Sequence, residues 1–204
     1  MDFDALKTAV KKGRRNDVTT LVQSAIEEKI DPNELLDRSM IPAMREIGDA
    51  FSRNEAYVPE LLVAARAMQA GLKLIEPMVA ASGRKARGRI VIGTVKGDLH
   101  DIGKNLVAIM LKGAGYDVVD LGVNCDVEKY AAASEGAQIV ACSSLLTTTM
   151  PYLKDVVEHF RGTPIKVIVG GAPITQEFAD EIGAAGYSSD ANEAVKLVDS
   201  LLAC

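Results

Sequence analysis

Residues 89–105 of this 204-residue chain read RIVIGTVKGDLHDIGKN, and this stretch determines the expected fold. Its first seven residues, 89–95, are mainly β-branched and apolar, which is typical of a buried strand. A polar loop around Gly97 follows, and a helix-length segment occupies about 101–114. A strand joined to a helix by a short loop begins a βαβ unit, so the stretch predicts an α/β domain.

The alternation of strand and helix continues to the C-terminus. Further short strands are predicted at 117–121, 137–141, 166–169 and around Gly186-Tyr187. Helix-length segments lie near 126–135, 149–161 and 174–183, and a last helix runs from about Asp190 to Leu202. Five β/α units predict a flavodoxin-like, doubly wound parallel sheet of five strands with helices on both faces.

The N-terminal part of the chain has a different hydrophobic period. Across residues 16–79 apolar side chains recur at helical spacing, which predicts about four helices in a small bundle. Asn16 and Asp31, the latter followed by a proline, are candidate N-caps, and Pro59 should lie in the first turn of a long helix. Pro42 should kink or split the middle helix.

A segment of small and basic residues, 81–88, separates the two patterns. Its composition is typical of an exposed linker. We therefore expect two domains, a helical domain at residues 1–87 and a Rossmann-like domain at residues 88–204.

The bulk composition argues against several classes of protein. With 23 Lys plus Arg against 28 Asp plus Glu, the net charge is -5, which disfavours nucleic acid as a partner. No segment resembles a signal peptide or a membrane span, so we expect no membrane partner. The three cysteines, Cys125, Cys142 and Cys204, are odd in number and lack ligand-like spacing. We expect a cytoplasmic protein in a reducing compartment, with Cys142 in the core.

Ligands of open α/β sheets bind beyond the carboxyl ends of the strands, where the strand order reverses. This rule selects the loops at 95–105, 143–149 and 170–172, which line one edge of a crevice if the order is 2-1-3-4-5. The first loop contains His100, with Asp98 two residues before it and Gly103 three residues after it. Metal-ligating imidazoles usually donate their other ring N–H to a carboxylate, and glycine allows a bulky ligand to approach the backbone.

Each of these features also has a purely structural interpretation. His100 and Asp101 could simply cap a helix, and their spacing does not name a metal. The glycine pair at 170–171 could be a tight turn, and the hydroxyl cluster at 143–149 could cap the next helix. The second histidine, His159, is expected to be a solvated surface residue. The loops contain neither a convincing nucleophile–base pair nor a phosphate-binding fingerprint.

Three motifs in these loops resemble those of a known family. The run at 97–105 resembles the Asp-x-His-x-x-Gly signature of cobalamin-binding domains, in the extended form found in methionine synthase and in corrinoid proteins of methanol, methylamine and methoxyaryl methyltransferase systems. The run at 143–147 resembles the Ser-x-Leu-x-Thr motif of that family, and the run at 169–172 resembles its later Gly-Gly. The helical domain is similar to the cap module of the family, and Phe51 and residues 57–62 carry this similarity.

The resemblance implies that His100 replaces the cofactor's own benzimidazole as the lower ligand of cobalt. Asp98 would orient His100 and tune it electrostatically. Thr149 would occupy the position at which methionine synthase has a serine that completes a relay with the aspartate. Ser143 and Thr147 would contact the displaced nucleotide tail, and Tyr57 would lie near the position that shields the methyl group. The implied cofactor-binding residues are Gly97, Asp98, Leu99, His100, Asp101, Ile102, Gly103, Ser143, Leu145, Thr147, Gly170, Gly171, Ala172 and Tyr57.

The resemblance further implies a corrinoid protein that carries a methyl group on cobalamin, cycling between cob(I)alamin and methylcobalamin. Its expected partners are a substrate-specific methyltransferase, an acceptor methyltransferase for tetrahydrofolate or a thiol, and a reductive activating protein. The sequence argues against other roles for a cobalamin-binding protein. A cobalamin-binding subunit of an adenosylcobalamin-dependent mutase is disfavoured by the cap-like helices, and a cobalamin-sensing regulator is disfavoured because residues 1–88 scatter their basic side chains.

Overall fold

The computed structural model describes residues 1–203, and Cys204 lies outside the described residues. The chain separates into two compact units. The helical unit comprises Met1–Lys85 together with Gly113–Gly115, and the sheet unit comprises Ala86–Lys112 and the chain from Tyr116 onward. Within residues 1–203, no helix has both the length and the apolar character needed to cross a membrane.

Amphipathic helices form the helical unit. They are α1 Phe3–Lys11, α2 Arg15–Glu27, α3 Pro32–Leu35, a π-helical turn Leu36–Met40, α4 Ile41–Ser52 and α5 Val58–Ala81. The buried face of α2 includes Val18 and Val22, which pack beside Gly71 of α5. A Cβ atom at Gly71 would lie 2.9 Å from the side chains of Val18 and Met40, so glycine allows this close approach.

Three of the four predictions about helix starts and breaks in this unit are confirmed. Asp31 caps α3 by accepting a 2.9 Å hydrogen bond from the backbone N–H of Asn33, and Pro59 lies in the first turn of α5. The π-helical turn directly precedes Pro42, whose ring lacks an N–H to donate, so the middle helix is interrupted as predicted.

The prediction that Asn16 caps α2 is wrong. Gly13, with φ of +65°, ends the first helix, and the N–H of Arg14 bonds back to the carbonyl of Ala9 at 2.9 Å. The chain therefore re-enters a helix at Arg15, and Asn16 already lies inside it.

A parallel five-stranded sheet forms the centre of the sheet unit, in the order β2-β1-β3-β4-β5 that was predicted. The strands are β1 Arg89–Thr94, β2 Asp117–Asp120, β3 Ile139–Ser143, β4 Lys166–Gly170 and β5 Gly186–Ser188. The helices are α6 Ile102–Gly113, α7 Val127–Ala133, α8 Pro151–Phe160, α9 Gln176–Ile182 and α10 Ala191–Leu202. Val91, Val140 and Val167 pair in register across the buried middle of the sheet.

Strand β3 lies two residues further along the chain than predicted. Its last residue, Ser143, pairs with Thr94 of β1 and Gly170 of β4, so all three central strands end at the same edge. Before the strand, the side chain of Gln138 accepts a 2.6 Å hydrogen bond from the N–H of Arg89. Cys142 is buried in the core as predicted, and His159 is exposed on α8.

Candidate functional site

The loops that follow β1 and β3 meet at the carboxyl edge of the sheet. The N–H of Val95 bonds to the carbonyl of Ser143 at 3.0 Å, and the N–H of Ser144 bonds to the carbonyl of Gly170 at 3.1 Å. The loops after β1, β3 and β4 therefore form one connected surface, as the strand order predicts.

Asp98 is the buried centre of this surface and accepts five hydrogen bonds. Its Oδ1 accepts from the backbone N–H of His100 at 3.0 Å and from the ring Nδ1 of His100 at 2.7 Å. Its Oδ2 accepts from the N–H groups of Leu145 at 2.7 Å and Leu146 at 3.3 Å, and from Oγ1 of Thr149 at 3.1 Å. One carboxylate thus joins the loop after β1 to the loop after β3.

The hydrogen bonds decide the charge of Asp98. Burial acts to raise the pKa of its carboxyl group, but hydrogen bonds from His100, Leu145 and Thr149 outweigh burial and hold that pKa well below its ordinary range. Asp98 is therefore an ionised acceptor at neutral pH.

The imidazole of His100 is oriented by this carboxylate. Because an ionised carboxylate can only accept, we assign the ring proton to Nδ1, which leaves the lone pair of Nε2 available to a metal. The side chain is 52% exposed, although its partner is fully buried.

Thr149 and Ser144 extend the hydrogen-bond network of Asp98. Their hydroxyl oxygens lie 2.8 Å apart, and both residues are buried. With Thr149 donating to Asp98, Ser144 can donate to Thr149, which forms a chain of hydroxyl, hydroxyl, carboxylate and imidazole. The residue at the N-cap of α8 is Met150, without a side-chain cap, so Thr149 does not cap that helix.

The glycines of these loops fall into two classes. Gly97 and Gly171 adopt positive φ angles of +81° and +135°, and a Cβ at Gly171 would lie 1.9 Å from the carbonyl oxygen of Ser144. Gly171 is therefore required by the protein's own packing. At Gly103 a Cβ would meet nothing within 4 Å, which leaves open space beside the first turn of α6.

Several apolar side chains around His100 point to solvent. Leu99 is 72% exposed and Ile102 is 79% exposed, while Leu145 is exposed on the facing loop. Thr147 and Ala172 are also exposed, and Ser143 is half-buried at the end of β3. Grouped exposed apolar residues mark a surface that binds an apolar partner or ligand.

Tyr57 lies in the helical unit, where it is 67% exposed. It precedes α5, and its N–H donates a 2.8 Å hydrogen bond to the side chain of Glu60. Its assignment as a residue that shields a methyl group stays a prediction.

Asn124, which no pattern in the sequence singles out, lies in the loop after β2. Its side-chain oxygen accepts from the N–H of Gly97 at 2.8 Å, and its own N–H donates to the carbonyl of Asp98 at 3.0 Å. Asn124 has φ of +51°, a conformation that asparagine tolerates better than most residues. In this conformation Asn124 hydrogen-bonds to both Gly97 and Asp98.

Comparison with known proteins assigns the chain to a family. A model of the B12 binding domain matches residues 88–196, and a second B12 binding domain model matches residues 2–76. A corrinoid protein of Desulfitobacterium hafniense is 38% identical over 98% of this chain and 97% of its own length. The chain belongs to the B12-binding family.

Two further proteins are similar to this chain. The trimethylamine corrinoid protein of Methanosarcina barkeri is 41% identical over 89% of this chain and 88% of its own length. Among solved structures, the methanol:cobalamin methyltransferase complex MtaBC from Methanosarcina barkeri matches with a TM-score of 0.86 and 31% identity, covering 98% of this chain and 78% of that chain. Cobalamin is therefore the cofactor of this chain.

The residues at the sheet edge fit that cofactor. His100 presents one oriented nitrogen to a metal, which suits an ion whose remaining ligands are supplied by a macrocycle. The exposed Leu99 and Ile102 provide an apolar surface beside this nitrogen, and the space at Gly103 leaves room for a bulky group.

Proposed function

We propose that the chain carries a methyl group on cobalamin between a substrate-specific methyltransferase and a second, acceptor methyltransferase. The relatives support this role, because one is a trimethylamine corrinoid protein and another forms part of a methanol:cobalamin methyltransferase complex. The match to both of these proteins extends over most of the chain.

The observation that carries the proposal is the pairing of the exposed His100 with the buried Asp98. Bound cobalamin supplies a cobalt centre that takes up and releases a methyl group. We infer that His100 binds this centre through Nε2 and that Asp98 holds the ring in one tautomer and one orientation. Thr149 in turn fixes Asp98, so the ligand is supported by two further layers of hydrogen bonds.

We assign the choice of methyl donor to the partner enzyme. The chain is 41% identical to a trimethylamine protein and 31% identical to a chain of the methanol complex, and these relatives serve different donors. We further propose that the acceptor enzyme methylates tetrahydrofolate or a thiol, that a reductive activating protein restores the cofactor, and that the cycle belongs to cytoplasmic one-carbon metabolism.

The ligand assignment can be tested by electron paramagnetic resonance of the protein loaded with cob(II)alamin. The protein is labelled with nitrogen-15 histidine, so that an imidazole of the protein is distinguished from the cofactor's own benzimidazole, and the wild-type spectrum should show coupling to one nitrogen-15 nucleus. His100→Ala should lose this coupling, and His159→Ala should keep it, because His159 is the only other histidine and is exposed on α8. Retained coupling to a protein nitrogen-15 nucleus in His100→Ala would show that His100 is not the ligand, whereas coupling to nitrogen-14 would only show that the cofactor's own benzimidazole has returned to cobalt.

The carrier role can be tested by methyl transfer with partner enzymes. The loaded protein, reduced chemically, should accept a methyl group from one of a panel of methylamine and methanol methyltransferases and pass it to a thiol or tetrahydrofolate methyltransferase. The measurement is the absorbance of the cofactor together with the amount of methylated product. Cobalamin binding without transfer to or from any member of the panel would contradict the carrier role.

A further inference from the structure

An ion pair between a buried lysine and a partly exposed aspartate lies next to the His100 loop and has no part in the function described so far. Lys104, on the first turn of α6, has a side chain that is 1% exposed. Its Nζ lies 2.6 and 2.7 Å from the two carboxylate oxygens of Asp120, at the end of β2. The side-chain oxygen of Asn105 accepts a third hydrogen bond from this ammonium group at 2.6 Å.

The ion pair is connected to the backbone of His100 through Asp120. Oδ1 of Asp120 also accepts from the N–H of Gly122 at 2.9 Å, and the carbonyl of Gly122 accepts from the N–H of Thr94 at 3.0 Å. The buried hydroxyl of Thr94 donates to the carbonyl of His100 at 2.8 Å. Asp120 therefore restrains Thr94 through Gly122, and Thr94 binds the carbonyl of His100.

A second connection runs through Asn105. While its oxygen binds Lys104, its amide nitrogen donates to Oδ2 of Asp101 at 3.0 Å, and its backbone N–H donates to the carbonyl of Asp101 at 2.7 Å. The ion pair thus restrains Asp101, which follows His100, as well as Thr94, which binds the carbonyl of His100.

Stability alone does not account for this pair. Removing the Lys104 charge from water costs free energy that its attraction to the partly exposed Asp120 offsets, so the pair adds little net stability. An apolar pair at these positions would keep the packing but would not restrain Asn105 and Gly122. The geometry points to a role in orienting the loop.

We propose that Lys104 and Asp120 are positioning residues that hold the loop at 95–101 in the conformation that presents His100 to cobalt before the cofactor binds. This inference rests on the proposed function of His100 as the ligand. The loop is then already ordered in the folded, cofactor-free protein. The entropy lost in ordering it therefore no longer weakens cofactor binding.

The test uses the double variant Lys104→Met with Asp120→Asn, because Asp120→Asn alone would leave the buried Lys104 ammonium group without its carboxylate partner. Lys154→Met is the matched control, since Lys154 lies exposed on α8. The dissociation constant for hydroxocobalamin should rise about tenfold in the double variant, at the lower end of the effect of residues that orient a metal ligand. It should stay within about twofold of wild type in the control.

The same changes made in a His100→Ala background separate positioning from general stability. If the pair acts through His100, the double variant should change the affinity of that background by less than about twofold. An equal loss in both backgrounds, or no loss in either, would overturn the proposal. If the double variant does not fold, Asp120→Glu, which keeps the charge but moves the carboxylate, replaces it with the same expectations.

Hydrogen–deuterium exchange of the cofactor-free protein gives a readout that is independent of ligation. Residues 95–105 should exchange at least about tenfold faster in the double variant than in wild type, while strands β1 and β3 exchange unchanged. Unchanged exchange in the loop would also overturn the proposal. If His100 is not the ligand, this is recognised separately, because coupling to a nitrogen-15 nucleus of the labelled protein then persists in His100→Ala.

Discussion

Asp98 and His100 are joined by two hydrogen bonds to the same carboxylate oxygen, one from the backbone N–H at 3.0 Å and one from the ring Nδ1 at 2.7 Å. The first bond shapes the turn, and the second orients the ring on that turn. The other oxygen of Asp98 is bound by the loop after β3. The position of the imidazole is thereby linked to the sheet edge through a single side chain.

Replacing Asp98 with Asn should destabilise the cofactor-free protein. The amide NH2 would face donors that now bind a carboxylate, so at least one buried group would lose its partner, at a cost of about 3 kcal/mol. The measurement is the free energy of unfolding in urea. Asp101→Asn serves as the control, because Asp101 is exposed and should cost less than about 1 kcal/mol. Equal stabilities for the two variants would contradict the central role of Asp98.

The hydroxyl of Thr149 should matter more than its methyl group. Thr149→Val removes the donor to Asp98 and the partner of Ser144, which should lower the free energy of unfolding by about 2 kcal/mol. Thr149→Ser keeps the hydroxyl and loses only a methyl group that packs near Gly97, so it should cost less than about 1 kcal/mol. Urea unfolding of both variants checks this order, and a more stable valine variant would refute it.

The glycines at 171 and 103 should respond in opposite ways to alanine. Gly171→Ala places a Cβ against the carbonyl of Ser144 at a positive φ angle and should destabilise the protein by about 3 kcal/mol or more. Gly103→Ala meets open space in a helix and should stabilise the cofactor-free protein by up to about 1 kcal/mol. If the cofactor occupies that space, cobalamin affinity should nevertheless fall. Thermal unfolding and a hydroxocobalamin titration measure the two effects, and undiminished affinity would place the cofactor away from Gly103.

Much of the fold could be predicted because its signals are local. The runs of β-branched residues gave strands β1 and β4 to within one residue, and the motif at 97–105 indicated that Asp98 and His100 form a pair. Strand β3 was predicted too early in the chain because its apolar run starts before the first residue that pairs with β1. The start of α2 was missed because the chain re-enters a helix directly after Gly13, at Arg15, without a capping side chain.

The remainder of the site depends on contacts between segments that are distant in sequence. Backbone N–H groups of Leu145 and Leu146 bind Asp98, and backbone groups leave no mark in a sequence. Lys104 did leave a signal, since it shares a helical face with the buried Ala108 and Leu111, where a charge requires a partner. Its partner Asp120 could be identified only once the strand order placed β2 beside β1.

The contribution of Asp120 to stability should depend on pH. Burial acts to raise the pKa of its carboxyl group, but the ion pair with Lys104 and the N–H of Gly122 outweigh burial and lower that pKa below its ordinary value. A lowered pKa in the folded state means that the ion pair stabilises fully above the unfolded pKa of about 4 and is lost as the pH falls through the folded value. The stability difference between wild type and Asp120→Asn should therefore be constant from about pH 5 to 7 and should shrink below about pH 4. Urea unfolding across this range measures it, and a difference that grows in acid would contradict the assignment.

Limited trypsinolysis should cut the chain first after Lys85, which tests our proposed division into domains at residues 1–87 and 88–204. Arg84 is bound by both carboxylate oxygens of Asp37 at 2.7 and 2.8 Å, and Arg87 forms a 2.8 Å ion pair with Asp199. A protease must extend the arginine that it recognises, so these ion pairs should slow cleavage after Arg84 and Arg87, whereas Lys85 lies exposed between them. Asp37→Asn should release Arg84 and increase cleavage after it, and mass spectrometry of the first fragments distinguishes the sites. A first cut inside α5 or β1 would contradict the proposed boundary.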